Sequence, residues 1–224
     1  MTLAELKTLI QDFTQNDETV FVNTLNDLIK NAEDRIFKEV QMNAFRKNVT
    51  GNLTTGNRFL TAPSDFVLSF SLTVIDASGD NITLLKKHPT FIQAYTKDNT
   101  DSALRGVPKY YADFDAELST APSNGSTLTI APVPDADYDV ELHYLYKPNS
   151  LVTDTNGTWI SENGRNALLY GSLVEAYTFM KGEQDLLNLY NQRYLEELSR
   201  LKNEFEGRGR RDEYRYDMLR SNVT

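Results

Sequence analysis

Cysteine is absent from the sequence, which excludes disulfide bonds, thiolate metal ligands and cysteine nucleophiles together. A chain without cysteine fits a reducing compartment, where disulfides would not persist. The N-terminus lacks the basic stretch and apolar run of a signal peptide, and no segment approaches the about 18 apolar residues that a membrane-spanning helix requires. We therefore expect a protein that is made in the cytosol and has no membrane partner.

Sequence motifs for phosphate, dinucleotide, acyl-transfer and zinc-protease chemistry are missing as well. Only two histidines occur, His88 before Pro89 and His143 on the polar face of a predicted strand, and no further His or Cys completes a zinc set. The 32 acidic residues leave a glycosidase-type pair open, but nothing selects one. We predict a protein that is not an enzyme and that holds no metal or cofactor.

Acidic residues outnumber basic ones by 32 to 23, and the formal net charge is −9. A protein that grips nucleic acid needs clustered Lys and Arg, so this balance argues against one. The negative charge is typical of a soluble protein, or of a channel wall past which DNA moves without binding. The 40% of hydrophobic residues are sufficient for a buried core.

Two segments place an acidic residue at every second position: Asp135, Asp137, Asp139 and Glu141, and Asp113, Asp115 and Glu117. Alternate carboxylates occur in calcium loops, but the glycine of that loop is missing here. The apolar residues between the carboxylates alternate as a strand requires. We therefore predict that both segments are the solvated faces of strands.

The N-terminal region has the spacing of two helices. Thr2 and Glu5 form a capping-box pattern in front of the first helix. The second helix is predicted over about 17–43, with Asn16 and Asp17 as candidate caps. Its apolar stripe comprises Phe21, Leu25, Leu28, Ile29, Ala32, Ile36, Phe37 and Val40.

Helical spacing returns after Pro148. Ser161 is the predicted cap of a helix that Gly182 ends, and a further helix is predicted to end before Gly207. The single tryptophan, Trp159, is predicted to lie in a loop before these helices. The short connection at Gly182 predicts an antiparallel helical hairpin.

Between the helices the spacing changes to a period of two. Residues 48–65 are predicted to be a loop, and the strand that follows should bury Phe66, Leu68, Phe70, Leu72 and Val74. A turn at 78–81 and a return strand at 82–85 predict a hairpin, while 90–101 is a short helix or irregular. Further strands are predicted at 109–118, 127–131 and 138–146, which together indicate an antiparallel sheet or small sandwich.

We thus predict an α+β fold in which both ends of the chain build an antiparallel helical bundle and the β-domain is an insertion. The predicted domains are a discontinuous helical bundle at 1–50 and 150–206, a β insertion at 58–148 and a C-terminal tail at 207–224. The tail carries +2 (five Arg minus three acids) and the remainder −11. A recognition segment that orders on a partner is the favoured interpretation, and its candidate binding residues are Arg208, Arg210, Arg211, Tyr214 and Tyr216. A solvated, disordered end and a nucleic-acid contact stay open.

Residues 108–206 contain, in order, a strand, a Pro-x-Pro turn, a Tyr-rich strand, a proline, the tryptophan and a helical hairpin broken at Lys-Gly-Glu. The residues concerned are Pro108, Tyr110, Leu128, Ile130, Pro132, Pro134, Tyr138, Val140, Leu142, Tyr144, Tyr146, Pro148, Trp159, Leu169, Tyr170, Gly171, Leu173, Glu175, Ala176, Lys181, Gly182, Glu183, Tyr190, Tyr194 and Leu198. This order resembles the head-to-tail adaptor family of short-tailed bacteriophages, also called tail tubular protein A. The N-terminal half is similar only in layout.

The resemblance implies a structural virion protein at the portal vertex, made in the host bacterial cytoplasm. It implies a homo-oligomeric ring, expected to be a dodecamer, that joins the portal protein to the tail nozzle protein. DNA would pass through its channel, on the way to ejection, without specific binding. The segment with Arg208, Arg210 and Arg211 would order against the portal.

Two other functions stay open at this point. A carbohydrate-binding or hydrolytic phage tail component would need a groove lined by exposed Trp and Tyr. A generic helical interaction protein would be a monomer or small dimer and not a large ring.

Overall fold

The computed structural model describes residues 1–40, 45–113 and 127–213, and of residues 205–213 it describes the backbone alone. The helices are α1 (Leu3–Thr14), α2 (Thr19–Glu39), α3 (Pro89–Tyr95), α4 (Trp159–Asn163), α5 (Arg165–Met180) and α6 (Gln184–Glu213). The strands are β1 (Arg46–Leu53), β2 (Phe59–Thr61), β3 (Phe66–Ile75), β4 (Asn81–Thr83), β5 (Leu85–Lys86), β6 (Tyr110–Asp113), β7 (Thr127–Ala131) and β8 (Tyr138–Tyr146). The predicted α+β class is confirmed.

The chain divides into two compact units, one of residues 1–44 and 148–224 and the other of residues 45–147. We call them the helical unit and the β-unit. The β-unit interrupts the helical unit in sequence and contains all eight described strands together with α3. The sequence places the first boundary near residue 50, whereas β1 already begins at Arg46.

The start of α1 has the predicted capping box. Thr2 Oγ1 accepts a hydrogen bond from the Glu5 amide at 3.3 Å, and Glu5 Oε2 accepts one from the Thr2 amide at 2.9 Å. These bonds satisfy amides that have no partner inside the helix. Leu6 and Ile10 are fully buried one turn apart and form the inner face of α1.

Helix α2 is shorter than the predicted 17–43. Its N-cap is Glu18 without a side-chain bond, and Asn16 Oδ1 instead accepts from the Glu18 amide in the preceding turn. At the other end Val40 has extended backbone angles, and residues 41–43 lie outside the described residues. The predicted stripe is buried except at Phe37, and Glu33 is buried as well. Apolar spacing reports on packing and not on where a helix ends.

Helix α4 was not predicted, and Ser161 does not cap the helix that follows. Thr158 is the N-cap of α4, with Ser161 as its reciprocal partner: the Ser161 amide donates to Thr158 Oγ1 and the Thr158 amide to Ser161 Oγ. Two hydroxyl residues three positions apart are equivalent cap candidates in sequence. Trp159 is therefore the first residue of α4 and not part of a loop.

Helices α5 and α6 form the predicted hairpin. The left-handed residue at the break is Lys181, with φ 54°. Gly182 is needed for space, since a Cβ there would lie 2.6 Å from Tyr177 Cδ1. Farther from the turn, Gly171 faces Tyr194 and Gly164 faces Leu201. Moving away from the turn, residue numbers decrease from 171 to 164 on one side while they increase from 194 to 201 on the other. The two helices are therefore antiparallel.

Helix α6 continues to Glu213, so the predicted end before Gly207 is wrong. A glycine inside a helix costs only about 1 kcal/mol relative to alanine. The Arg and Glu residues around Gly207 and Gly209 favour a helix. The two glycines therefore allow α6 to end there but do not force it to end.

Helix α5 lies at the centre of the helical unit and contacts α1, α2 and α6. Its buried residues lie on nearly all sides: Ala167, Leu168, Leu169, Gly171, Ser172, Leu173, Val174 and Ala176. Gly171 marks the closest approach, because a Cβ there would lie 3.2 Å from Tyr194 Cε2 and 3.4 Å from Ala32 Cβ. Three helices therefore meet at one glycine.

The β-unit has two four-stranded sheets, ordered β1-β8-β3-β4 and β2-β7-β6-β5. All pairs are antiparallel except β5 with β6, which are parallel, so the purely antiparallel prediction is wrong. The reason lies at Leu84, where the chain leaves β4 of the first sheet and enters β5 of the second. Both sheets contribute to one core, as in a sandwich: Leu53, Leu72, Val74, Leu84, Tyr111, Leu128, Ile130, Tyr138, Val140, Leu142 and Tyr144.

The predicted loop at 48–65 contains most of β1 and all of β2. Strand β1 pairs with β8 over its whole length, from Arg46 opposite Leu145 to Leu53 opposite Tyr138. It is an edge strand with mostly exposed polar residues, which leaves no apolar alternation to recognise. Strands β7 and β8 and the β3–β4 hairpin are confirmed, and the segment 90–101 is the short helix α3 up to Tyr95 and irregular from Thr96 onward. Residues 114–118 of the predicted 109–118 strand lie outside the described residues.

The predicted inner face of β3 is only half right. Leu72 and Val74 are buried, but Leu68 and Phe70 are 46% and 47% exposed, while Ser69 is 6% exposed. The register against β8 shifts between Phe66 and Leu68 and again between Ser69 and Ser71. Each irregularity moves the alternation by one residue, so the segment between them presents its serine to the interior.

We expect Gly171→Leu to lower the free energy of unfolding of the helical unit by about 1–3 kcal/mol, because the added side chain overpacks the contact with Tyr194. Urea unfolding followed by fluorescence of Trp159, the only tryptophan, measures this unit. Asn166→Leu adds the same side chain at an exposed position of α5 and should leave the midpoint nearly unchanged. Equal stability of the two variants would contradict the packing described.

Candidate functional site

The arginines singled out by sequence lie on α6. Arg208, Arg210 and Arg211 belong to its last turns, so they are part of a 30-residue helix about 45 Å long and not of a separate tail. Tyr214 and Tyr216 lie outside the described residues. How these five side chains are arranged for a partner stays a prediction.

The two histidines have local structural roles. His88 Nδ1 accepts from the Thr90 amide at the start of α3 and bonds Thr90 Oγ1 at 2.8 Å. His143 Nδ1 bonds Ser71 Oγ at 3.0 Å across neighbouring strands. Within the described ranges, no group of three or more His, Cys, Asp or Glu side chains is arranged to hold a metal ion.

The carboxylates along β8 bind neighbouring residues separately and do not converge. Asp137 Oδ1 accepts from the amide and the hydroxyl of Thr55 at 2.7 and 2.8 Å, and these bonds, the backbone one first, lower the pKa of Asp137. Asp139 accepts from Asn52 of β1, and Asn48 of β1 bonds Glu141. These hydrogen bonds therefore attach the edge strand β1 to β8. Asp115 and Glu117 lie outside the described residues.

Asp113 was predicted to be solvated, but it joins the two sheets. Ser69 Oγ of β3 donates to Asp113 Oδ2 at 2.7 Å, and Lys86 of β5 forms an ion pair with the same oxygen. Tyr111 OH lies 3.3 Å from Ser69 Oγ. This polar cluster explains why a serine replaces an apolar residue on the inner side of β3.

A second ion pair connects β1, β8 and the start of β3. Asp65 accepts from Lys47 Nζ at 2.8 Å and from Tyr144 OH at 2.9 Å. Burial would raise the pKa of Asp65, but the hydrogen bonds from Lys47 and Tyr144 outweigh it and the pKa is lowered. Burial, and then the bond to Asp65, raise the pKa of Tyr144 to about 12.

One buried carboxylate connects the two sequence segments of the helical unit. Glu33 of α2 is 6% exposed. It accepts from Ser150 Oγ at 2.5 Å and from the Leu151 amide at 2.9 Å. The residues that return from the β-unit are thereby attached to α2, which sequence reasoning missed because Glu33 looks like one of many polar helix residues.

Several large apolar side chains are more than a third exposed: Phe13, Val20, Phe59, Val67, Leu68, Phe70, Leu85, Phe91, Tyr95, Leu104, Phe179, Leu189 and Leu195. Exposed apolar groups next to charged ones are typical of surfaces that bind other proteins. The sugar-binding alternative would need an exposed tryptophan in its groove, but Trp159 is half-buried at the start of α4 in the helical unit. In the parts of the chain that the structure describes, no helix has the length and apolar character needed to cross a membrane. Where exposed apolar side chains lie together, as Phe91 and Tyr95 do, they favour the class of interaction proteins.

Comparison with known families identifies the kind of interaction protein. The family model of the SU10 adaptor protein matches residues 1–221, and the chain therefore belongs to this family. It is a bacteriophage adaptor protein and a structural component of the virion. A search of curated proteins gives no match.

We expect Glu33→Ala to destabilise the helical unit, because the Leu151 amide is left buried without an acceptor, which costs about 1–3 kcal/mol. Trp159 fluorescence during urea unfolding measures the change. Glu183→Ala, at an exposed position before α6, is the matched control and should have little effect. Equal midpoints for both variants would show that Glu33 does not hold the segments together.

We expect Asp65→Asn to make the β-unit less sensitive to acid. The pKa of Asp65 in the folded chain lies below that of an unfolded aspartate, about 3.9, so its stabilising effect is present above about pH 4 and is lost as the pH falls through the folded pKa. Wild type should therefore lose stability on acidification more steeply than Asp65→Asn or Lys47→Met. Near-UV circular dichroism of the tyrosines during urea unfolding at stepped pH measures the slopes, and parallel slopes would contradict this role.

Proposed function

We propose that the chain is a head-to-tail adaptor of the tail tubular protein A type, which forms a ring between the portal protein and the tail nozzle protein and extends the DNA channel. The observation that carries the proposal is the adaptor-family match over residues 1–221. The order of features from Pro108 to Leu198 supports the particular type, and a ring of twelve copies is the expected size.

The packing of the helical unit supports a structural role within the ring. Helix α5 contacts α1, α2, α4 and α6, and Glu33 attaches the returning segment to α2. We propose that α1, α2, α5 and α6 form one antiparallel bundle that holds the subunit rigid within the ring. Long packed helices resist deformation because core side chains are close-packed.

The charge supports passage of DNA without specific binding. A formal net charge of −9 repels phosphates, so a channel wall built from this chain keeps DNA mobile. The protein would act in the virion at the portal vertex after synthesis in the host bacterial cytoplasm.

The arginine segment is the proposed portal contact. Arg208, Arg210 and Arg211 would bind carboxylates or carbonyls of the portal, and Tyr214 and Tyr216 would add apolar contact area. Arginine suits such a contact, because its planar guanidinium makes paired hydrogen bonds. Because residues 207–213 already belong to α6, the three arginines would dock on the portal as part of a preformed helix.

The test combines the purified chain with the portal protein and images the mixture by electron microscopy. We expect a ring of adaptor on the portal with the full chain, and loss of that ring when 207–224 is deleted or when the three arginines are changed to Gln. Gln substitution at Arg193, Arg200 and Lys202, on the same helix, removes equal charge and should leave the ring intact.

The experiment distinguishes the adaptor function from the role of the arginine segment. Absence of any adaptor on the portal with the full chain would contradict the adaptor function. A normal ring with the deleted chain would contradict only the role of the arginine segment.

A further inference from the structure

We propose that two surfaces of the chain bind each other between neighbouring copies. One surface lies where the α1–α2 and α5–α6 turns meet, and the other is formed by β5, α3 and β6. The inference rests on the proposed ring, for which it names the contact between subunits.

The first, which we call the acidic-apolar surface, comprises the exposed residues Asp12, Phe13, Asp17, Glu18, Val20, Phe179, Glu183 and Asp185. Two hydrogen bonds hold the turns together: Tyr177 OH donates to the Phe13 carbonyl at 3.4 Å, and Asn16 Nδ2 lies 3.3 Å from Met180 Sδ. Val20 is 68% exposed and Phe13 and Phe179 are each 43% exposed. Residues 11–20 and 179–186 carry five acids and one Lys, a net charge of −4.

The second, which we call the basic-aromatic surface, comprises Leu85, Lys87, Phe91, Tyr95, Lys97, Lys109 and Tyr110. Ring centroids of Phe91 and Tyr95 are 5.8 Å apart, and each lies 5.1 Å from that of Tyr110. Lys87 Nζ is 5.6 Å from the Phe91 centroid, and the Leu85 amide donates to the Lys109 carbonyl. Leu85 is 58% exposed and Tyr95 45%.

The charge of this second surface stands out from that of the chain. Residues 85–110 carry five Lys or Arg and two Asp, a net charge of +3, whereas the remaining residues carry −12. A basic region in so acidic a protein attracts an acidic partner, and apolar groups at its centre would be buried on contact.

The two surfaces complement each other in charge and in apolar character. Each has exposed apolar groups with charged residues around them, and the charges have opposite signs. Because the surfaces differ, the contact between copies is heterologous, and such a contact closes into a ring when the rotation between copies allows. A surface that bound its own copy symmetrically would give a dimer instead.

The basic-aromatic surface fits nucleic acid less well than it fits a second copy of the chain. Bases stack on free aromatic faces, but the rings of Phe91, Tyr95 and Tyr110 are engaged edge-on and face-on with one another. Asp98 and Asp101 lie in the same segment, and Lys86 is already paired with Asp113. A second copy of the chain therefore fits this surface better than a phosphate backbone.

The absence of cysteine allows a direct test with single cysteines beside the surfaces. Thr19→Cys and Ala94→Cys are exposed positions that leave the contact residues unchanged. Equal amounts of the two variants are mixed, with and without the portal protein, and treated with a flexible bis-maleimide cross-linker. We expect several-fold more mixed dimer than from Thr19→Cys with Thr50→Cys, an exposed control position on β1.

Charge reversal then tests the chemistry of the contact. Asp12→Lys with Glu183→Lys in the Thr19→Cys chain, or Lys87→Glu with Lys109→Glu in the Ala94→Cys chain, should each reduce the mixed dimer several-fold. Combining both reversed chains should restore it, because the charges are opposite again. Trp159 fluorescence and circular dichroism establish that each variant is folded.

Mixed dimer no more abundant than the control, or no recovery with both chains reversed, would overturn the inference. If rings still form on the portal, the proposed function survives and only the contact is wrong. Unchanged cross-linking together with weaker retention of a DNA fragment by Lys87→Glu, Lys109→Glu would assign the surface to nucleic acid instead.

Discussion

The buried carboxylate of Glu33 is the constraint on which the helical unit depends. Because the β-unit separates residues 44 and 148, the helical unit must be assembled from two segments that are far apart in sequence. Closing so long a loop costs conformational entropy, which contacts between the segments must offset. Glu33 accepts from Ser150 Oγ and from the Leu151 amide, so it fixes the first residues of the returning segment against α2. The position of that segment then determines where α4 and α5 begin. Helix α5 in turn provides the surface on which α1, α2 and α6 pack, with Gly171 at the closest approach.

Much of the secondary structure could be predicted because it depends on local chemistry. The Thr2–Glu5 capping box, the buried face of α2, the alternation in β8 and the break at Lys181–Gly182 all follow from residues a few positions apart. Other features depend on distant partners and could not be predicted. Strand β1 has no apolar alternation and exists because β8 lies beside it. The irregular register of β3 turns Ser69 inward, where its hydroxyl donates to Asp113 and lies 3.3 Å from Tyr111 OH. The start of α2 at Thr19 and the continuation of α6 beyond Gly207 reflect capping and small propensity differences that apolar spacing does not register.

From the sequence, the class of protein could be predicted, but the arrangement of its binding surfaces could not. Order of features between Pro108 and Leu198 indicated a phage adaptor, and the match of the SU10 adaptor protein family over residues 1–221 agrees with that class. The arginines were visible as a charge run, yet their place on a continuous α6 was not. The basic-aromatic surface escaped notice because its residues come from β5, α3 and β6, each too short to show a pattern. In an adaptor the functional features are surfaces and not a pocket, and a surface assembled from several elements appears only in three dimensions.

We propose that copies of this chain form the ring that joins portal and tail. The most direct measurement is a reconstruction of the virion that carries it, with the portal vertex resolved well enough to place helices. The account predicts a ring of copies between the portal and the tail nozzle, with the C-terminal end of α6 against the portal. Density in which the chain is absent from that junction, or lies elsewhere in the particle, would contradict it.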